Sequence, residues 1–310
     1  MSNSCPRCGL PHNWLKIFSV SVVMVVESNL LLPVFPGNLV RGILGNSLIK
    51  SFCTKHTPEC QACEYINSCP YSLVFKTAHP RDFSGRSQAN PFVIDIESGY
   101  ERRYVSGDKI NFTLTLMGSG CDYSAEIIHA LLNYNDSCFR ISDGTVKLYS
   151  LQDVFTGEEF YKNGALGVIP EPSLWSDNIE LSKSEYVNLD IITHSPIQLL
   201  KDKVLETELY FPIFIDFLFR RIGDVMASFN DTPFLIPYHL LERKPKVEYT
   251  SNISKAMIPQ GKFSPEGIVG RCTYSGAIVE YLPFILLGEL IHIGKLTTRG
   301  FGKYVMQIHD

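Results

Sequence analysis

The sequence has no hydrophobic run long enough to cross a membrane. Its best candidate, IFSVSVVMVV (17–26), lies between Lys16 and Glu27, well short of the ~20 residues a spanning helix needs. No small-residue cleavage site follows it, which argues against a secretory leader. Its β-branched residues, with Ser19 and Ser21 interleaved, read as a buried strand. The expectation is a cytoplasmic protein with no membrane contact. An excess of positive charge is also missing: 28 Lys and Arg against 32 Asp and Glu leave a net charge of −4. Any nucleic-acid site is therefore a local basic patch and not a bulk property. There is no Asp-x-Asp motif of the kind a two-ion nuclease uses. No short repeat of the solenoid type is present either.

What the chain does hold is 310 residues, 45% hydrophobic and 19% charged, enough for two ordinary soluble domains. The first half reads as a strand (15–28), a helix (35–52), strands at 90–96 and 109–118, a helix (124–134) and a hairpin turning at Asp143-Gly144. In the first helix Pro36 stands near the start, and Val40, Leu44, Leu48 and Phe52 form a stripe at i+4 spacing. A polar, proline-containing stretch from about 156 to 184 reads as a linker. The second half then repeats the order: strand (186–199), helix (208–229), strands near 246–258 and 266–275, helix (279–291) and a last strand (302–309). Each half is β-α-β-β-α-β, so the expected fold is α+β, two tandem ferredoxin-like domains at 1–165 and 180–310.

Nine cysteines are present, and four fall in CTKHTPECQACEYINSC: Cys53, Cys60, Cys63 and Cys69. A Cys-x-x-Cys knuckle offers two thiolates to one ion, and two more nearby complete a tetrahedral shell. Structural zinc is the expected occupant of this insertion at about 53–70, with an iron–sulfur cluster as the alternative. A second knuckle, Cys5 and Cys8 with His12 nearby, opens the chain. Cys121, Cys138 and Cys272 are isolated and read as core.

The densest signal is HIGKLTTRGFGKY (292–304), with three glycines, three cations and no acid. Gly294, Gly300 and Gly302 permit positive φ and expose backbone amides. Lys295, Arg299 and Lys303 supply charge for phosphate, and Thr297 and Thr298 supply hydroxyls.

Several stretches together resemble one family. They are YLPFILLGELIHIGKLTTRGFGKY, FLFRRIGDVMASF, GIVGRCTYSG, GDKINFTLTLMG and LVRGILG followed by CPYSLVF. They look like the CRISPR repeat-RNA endoribonucleases of the RAMP superfamily, the Cas-six-type family, over about residues 30 to 308. The resemblance implies metal-independent cleavage of precursor CRISPR RNA within the repeat. The ribose 2′-hydroxyl attacks in line, leaving a 2′,3′-cyclic phosphate and a 5′-hydroxyl. Such a reaction uses a base, an acid and a cation. The resemblance also implies RNA contact by the glycine-rich loop: Gly294, Lys295, Thr297, Arg299, Gly300, Gly302 and Lys303, with Arg41 on the first helix. Many members carry a catalytic histidine near that helix, whereas here no histidine lies between His12 and His56. The catalytic candidates that remain are His292 as acid or base, Lys50 as charge stabiliser and Asn46 to orient a hydroxyl. The expected partner is CRISPR repeat RNA or crRNA. Other interference proteins and a second copy of the chain are further partners the family admits. The alternative is a RAMP subunit that binds repeat RNA without cutting it.

Overall fold

The computed structural model describes residues 15–54, 59–76, 90–135, 139–141, 143–175, 187–229, 240, 245–257 and 265–309. Cys5, Cys8, His12, His56 and Cys138 lie outside the described residues. The chain divides into two compact units, one spanning Lys16–Ser173 and the other most of 174–310.

The first unit runs β1 (Lys16–Val26), α1 (Gly37–Phe52), β2 (Phe92–Ile96), β3 (Lys109–Met117), α2 (Ser124–Asn135) and β4 (Gly144–Asp153). Its sheet has the order β2-β3-β1-β4, extended past β4 by β5 (Glu159–Lys162). Each neighbouring pair is antiparallel, the arrangement of a ferredoxin-like domain. β1 is the apolar run seen in the sequence, and it sits centrally because Ile17, Phe18, Val20 and Val22 are all buried. Ser19 is buried with them, and its hydroxyl is satisfied at 2.9 Å by Thr115 on β3, so the polar group costs little in the core. Of the stripe on α1, Val40, Leu44 and Leu48 are buried, joined by Ile43, while Phe52 at the end is only half-buried; each buried side chain of this kind contributes about 1.5–3 kcal/mol relative to an exposed one.

The second unit runs β6 (Val187–Thr193), α3 (Phe211–Phe229), β7 (Val247–Met257), β8 (Glu266–Gly276), α4 (Leu282–Ile291) and β9 (Tyr304–His309). Its sheet order, β7-β8-β6-β9, is again wholly antiparallel. The two halves therefore repeat one topology, as the order of elements in the sequence implies. Aromatic rings fill this core: Phe214 meets Tyr304 edge-on at 5.5 Å and Tyr274 face-on at 6.0 Å. Tyr304 is fully buried and donates its hydroxyl to the Ile285 carbonyl at 2.5 Å, which locks the last strand to α4.

The stretch expected to be a linker is partly folded. Phe160 and Tyr161 on β5 are buried, and so is Trp175; aromatic side chains, not the prolines, decide the local structure there. Cys121 and Cys272 are both buried, in line with a core role. Burial pushes the Cys121 thiol up to about 12 and the Cys272 thiol up to about 11. Among the described residues no helix is long and apolar enough to cross a membrane.

Candidate nucleic-acid interface

The glycine-rich loop joins α4 to β9. Five of its residues have positive φ: His292, Gly294, Leu296, Gly300 and Gly302. At Gly294 an added Cβ would lie 2.4 Å from the Gln198 carbonyl oxygen, and at Gly302 only 2.1 Å from that of Ile293. Neither position admits a side chain. These glycines let the loop press against its own unit, where its amides are used. Ile293 donates to Gly302, Lys295 to Gln198 and Gly302 to Pro196, each at 3.0 Å, and Lys303 donates to Ser195 Oγ at 2.9 Å. Further amides of Arg299, Gly300 and Phe301 close the tight turn at its centre. The expectation that the glycines expose amide donors is thus corrected. The Gly300 and Gly302 amides hold the loop, whereas those of Gly294, Leu296, Thr297 and Thr298 make none of these bonds.

Arg221 on α3 fixes the loop from beneath. Its Nε donates to the His292 carbonyl at 3.2 Å, and its Nη2 donates to the Ile291 carbonyl at 3.1 Å and to Thr297 Oγ1 at 3.3 Å. The side chain is buried, and burial pulls its pKa down to about 10 against the opposing field of Asp224. A cation placed on the last carbonyls of α4 also meets the negative end of that helix. The sequence shows Arg220-Arg221 only as a basic pair closing an apolar run. Helical periodicity could have separated them: Arg220 is exposed and pairs with Asp216 one turn back at 2.9 Å, whereas Arg221 faces inward.

The loop cations are not equivalent. Lys295 is exposed and Arg299 is half-buried. Lys303 is half-buried and donates Nζ to the Glu289 carbonyl at 3.1 Å, so part of its capacity is committed to the end of α4. Thr297 is buried on Arg221, which leaves Thr298 as the more accessible hydroxyl.

His292 stands apart from its expected role. It is 1% exposed, and its Nδ1 donates to the Phe301 carbonyl at 2.9 Å. Its backbone, at φ 57 and ψ 156, lies in a region that is essentially glycine-only and costs about 1–3 kcal/mol. A ring so enclosed cannot pass a proton to RNA where it stands. The imidazole braces the two ends of the loop, and the sequence reading is corrected to that extent.

On α1 the other catalytic candidates lie as their spacing requires. Asn46 and Lys50 are exposed, one turn apart, away from the buried stripe. Arg41 is half-buried with its guanidinium 4.9 Å above the Phe75 ring, a packed position unlike that of a free phosphate-binding arm. Cys53, Cys60, Cys63 and Cys69 are free thiols that line one cavity beyond the end of α1. Burial, then the neighbouring Cys69, push the Cys60 thiol up.

One cluster has no counterpart in the sequence reading. Asp190, in the middle of β6, is fully buried by its neighbours and accepts from Arg271 Nη2, His309 Nε2 and Thr273 Oγ1. Burial alone would raise its pKa; the hydrogen bonds from Arg271, Thr273 and His309 outweigh it and hold the carboxyl below the usual range. The signal lies in strand register, since Asp190 pairs with Thr273 on one side and Gln307 on the other, and register is invisible until the strands are matched.

Two ferredoxin-like units, the second with a basic glycine-rich loop before its last strand, make up the chain, and the comparisons match each unit in turn. Residues 15–172 match a family model described as the AF_1859 N-terminal domain, and residues 191–304 match that of the CRISPR-associated endoribonuclease Cas6. The first match spans just over half of the chain, which therefore belongs to the family of that N-terminal domain model, and the second unit carries the match to the Cas6 model. The chain is 25% identical over 279 residues to an uncharacterized protein of Archaeoglobus fulgidus, covering 88% of this chain and 92% of that one. Among solved structures it resembles a Cas6 product complex (TM-score 0.60, 16% identity, 94% of this chain and 99% of that one). It also resembles Thermus thermophilus Cas6 (TM-score 0.53, 15% identity, 94% and 99%). A partial Cas6-RT-Cas1–Cas2 complex matches with TM-score 0.62 and 16% identity over 96% of this chain and 47% of that one, so this chain spans about half of that relative's length. At these identities the structural likeness establishes the fold.

Proposed function

We propose that this chain binds the repeat of precursor CRISPR RNA, in the cytoplasm, and cuts it by attack of a ribose 2′-hydroxyl on the adjacent phosphate. The observation that carries this reading is the loop: a rigid turn in a Cas6 domain, anchored by a buried arginine, with Lys295, Arg299 and Thr298 on its accessible side. Lysine and arginine neutralise phosphate and fix register without reading sequence. On this reading Lys50 meets the negative charge that develops at the scissile phosphate, and Asn46 orients a hydroxyl. Cutting itself takes no metal ion.

A second reading has its own support. His292 is enclosed and α1 carries no histidine, which fits a subunit that holds repeat RNA without cutting it. One experiment separates the two. The protein is incubated with its own repeat RNA in EDTA, beside the same RNA carrying a single 2′-deoxy substitution at the cut site. Cleavage that survives EDTA and vanishes with the deoxy substitution establishes the nuclease. Tight binding without product on either RNA establishes the binder.

A further inference from the structure

Between the end of α1 and residue 70, no described residue is buried; the segment 59–69 contributes only half-buried and exposed side chains. It nevertheless keeps a defined path. Cys63 donates its amide to the Cys60 carbonyl at 3.2 Å, making a tight knuckle, and Cys69 donates to Tyr65 at 2.9 Å. Cys53 is the C-cap of α1. All four cysteines are half-buried and reach one cavity of about 30 Å³. That is small for an organic ligand and sufficient for a single ion or a water or two. The chain beyond is built against α1: Phe75 stacks under Arg41 and fits against Gly45, where an added Cβ would meet its ring at 3.0 Å. A segment with so few apolar anchors, leading from one packed element to another, needs a different kind of staple. Among the described residues no three metal-ligating side chains stand as a finished cage, so binding must draw the thiols inward.

We propose that Cys53, Cys60, Cys63 and Cys69 bind one zinc ion as a tetrathiolate. The four thiols release their protons to solvent as Zn²⁺ binds, and the site carries no open position for chemistry. Its work is to clip the C-terminal end of α1, which carries Lys50 in its last turn, to the chain that packs on that helix.

The test uses the full-length protein, purified under reducing conditions, beside a Cys5→Ser/Cys8→Ser variant and a Cys60→Ser/Cys63→Ser variant. Elemental analysis is expected to find about one zinc per chain in the parent at this site, retained when Cys5 and Cys8 are replaced and lost from C60S/C63S. So that the test does not depend on the folding of C60S/C63S, cobalt(II) is also titrated into metal-stripped C5S/C8S. Intense thiolate-to-metal charge-transfer bands with tetrahedral ligand-field absorption support the site without relying on that variant. Four results overturn the proposal: no metal after zinc reconstitution, metal lost from C5S/C8S, metal retained by C60S/C63S, or the visible spectrum and iron content of an iron–sulfur cluster.

Discussion

Replacing Arg221 by methionine keeps most of the stem and removes every donor. The Ile291 and His292 carbonyls and the Thr297 hydroxyl then lose their partner inside the protein. Each buried acceptor left unsatisfied costs about 1–3 kcal/mol. Against this, the chain no longer has to bury a cation, which returns part of the loss. The net expectation is a loss of about 2–4 kcal/mol, felt first where Arg221 acts, at the loop. Native-state hydrogen exchange reads that locally. The amides of Ile293, Lys295, Gly302 and Lys303 are all hydrogen-bonded within the unit, and their exchange should quicken on the order of 30- to 1,000-fold, the range those energies imply. RNA affinity should fall with it. Arg220→Ala is the control: its exposed ion pair with Asp216 is worth at most about 1 kcal/mol and touches nothing in the loop. Unchanged exchange at those amides in R221M, with RNA bound as tightly as before, would refute the claim that this arginine sets the loop.

Lys295→Ala and Arg299→Ala should each flatten the dependence of log affinity on log salt by about 0.7, the single-strand value per phosphate contact, and weaken matched and scrambled RNA alike. Lys303→Ala should flatten it less, because its ammonium already serves the Glu289 carbonyl; equal slopes for all three would contradict that ranking. Lys50→Ala should slow single-turnover cutting of bound RNA by ~10²–10⁴-fold, typical of losing a positioned charge stabiliser, and a wild-type rate would remove Lys50 from the mechanism. His292→Gly should melt higher than His292→Ala by about 1 kcal/mol, because glycine relieves the positive φ and alanine does not, and H292G should cut saturating RNA at the wild-type rate. The Asp190 carboxyl is held below its ordinary value of about 3.9, so its stabilising contribution is complete above that pH and disappears as pH falls through the lower, folded value. Melting curves below about pH 4 should therefore show an acid loss that Asp190→Asn lacks, and identical acid limbs would remove Asp190 from it.

The fold was legible because its signals are local. Alternation at 109–117 and the i+4 stripe on α1 each report on neighbours in sequence, and those elements stand where the pattern puts them; the hairpin is shifted, with Gly144 already paired to Ile141 in the second strand. The misreading at 156–184 has a local cause too. As a string the stretch is dominated by proline and polar residues, whereas the burial of Phe160 and Tyr161 comes with the pairing of β5 to β4, which no window of sequence contains.

The site was less legible because residue type does not reveal what a side chain is already bonded to. Seen as a string, the loop offers three equivalent cations, a histidine of suitable pKa and glycines that free their amides. Folding distributes these groups between holding the loop and facing outward. His292, Thr297 and most of the amides are committed to the turn itself, Lys303 is divided, and Lys295 and Arg299 remain for a ligand. The commitment also explains the composition. A loop that presents cations at fixed spacing must resist their mutual repulsion, and it does so with backbone bonds and the buried Arg221, donors that carry no competing carboxylate. On the proposed reading, an acidic partner at those positions would neutralise the charge that 292–304, which contains no acid, offers to RNA.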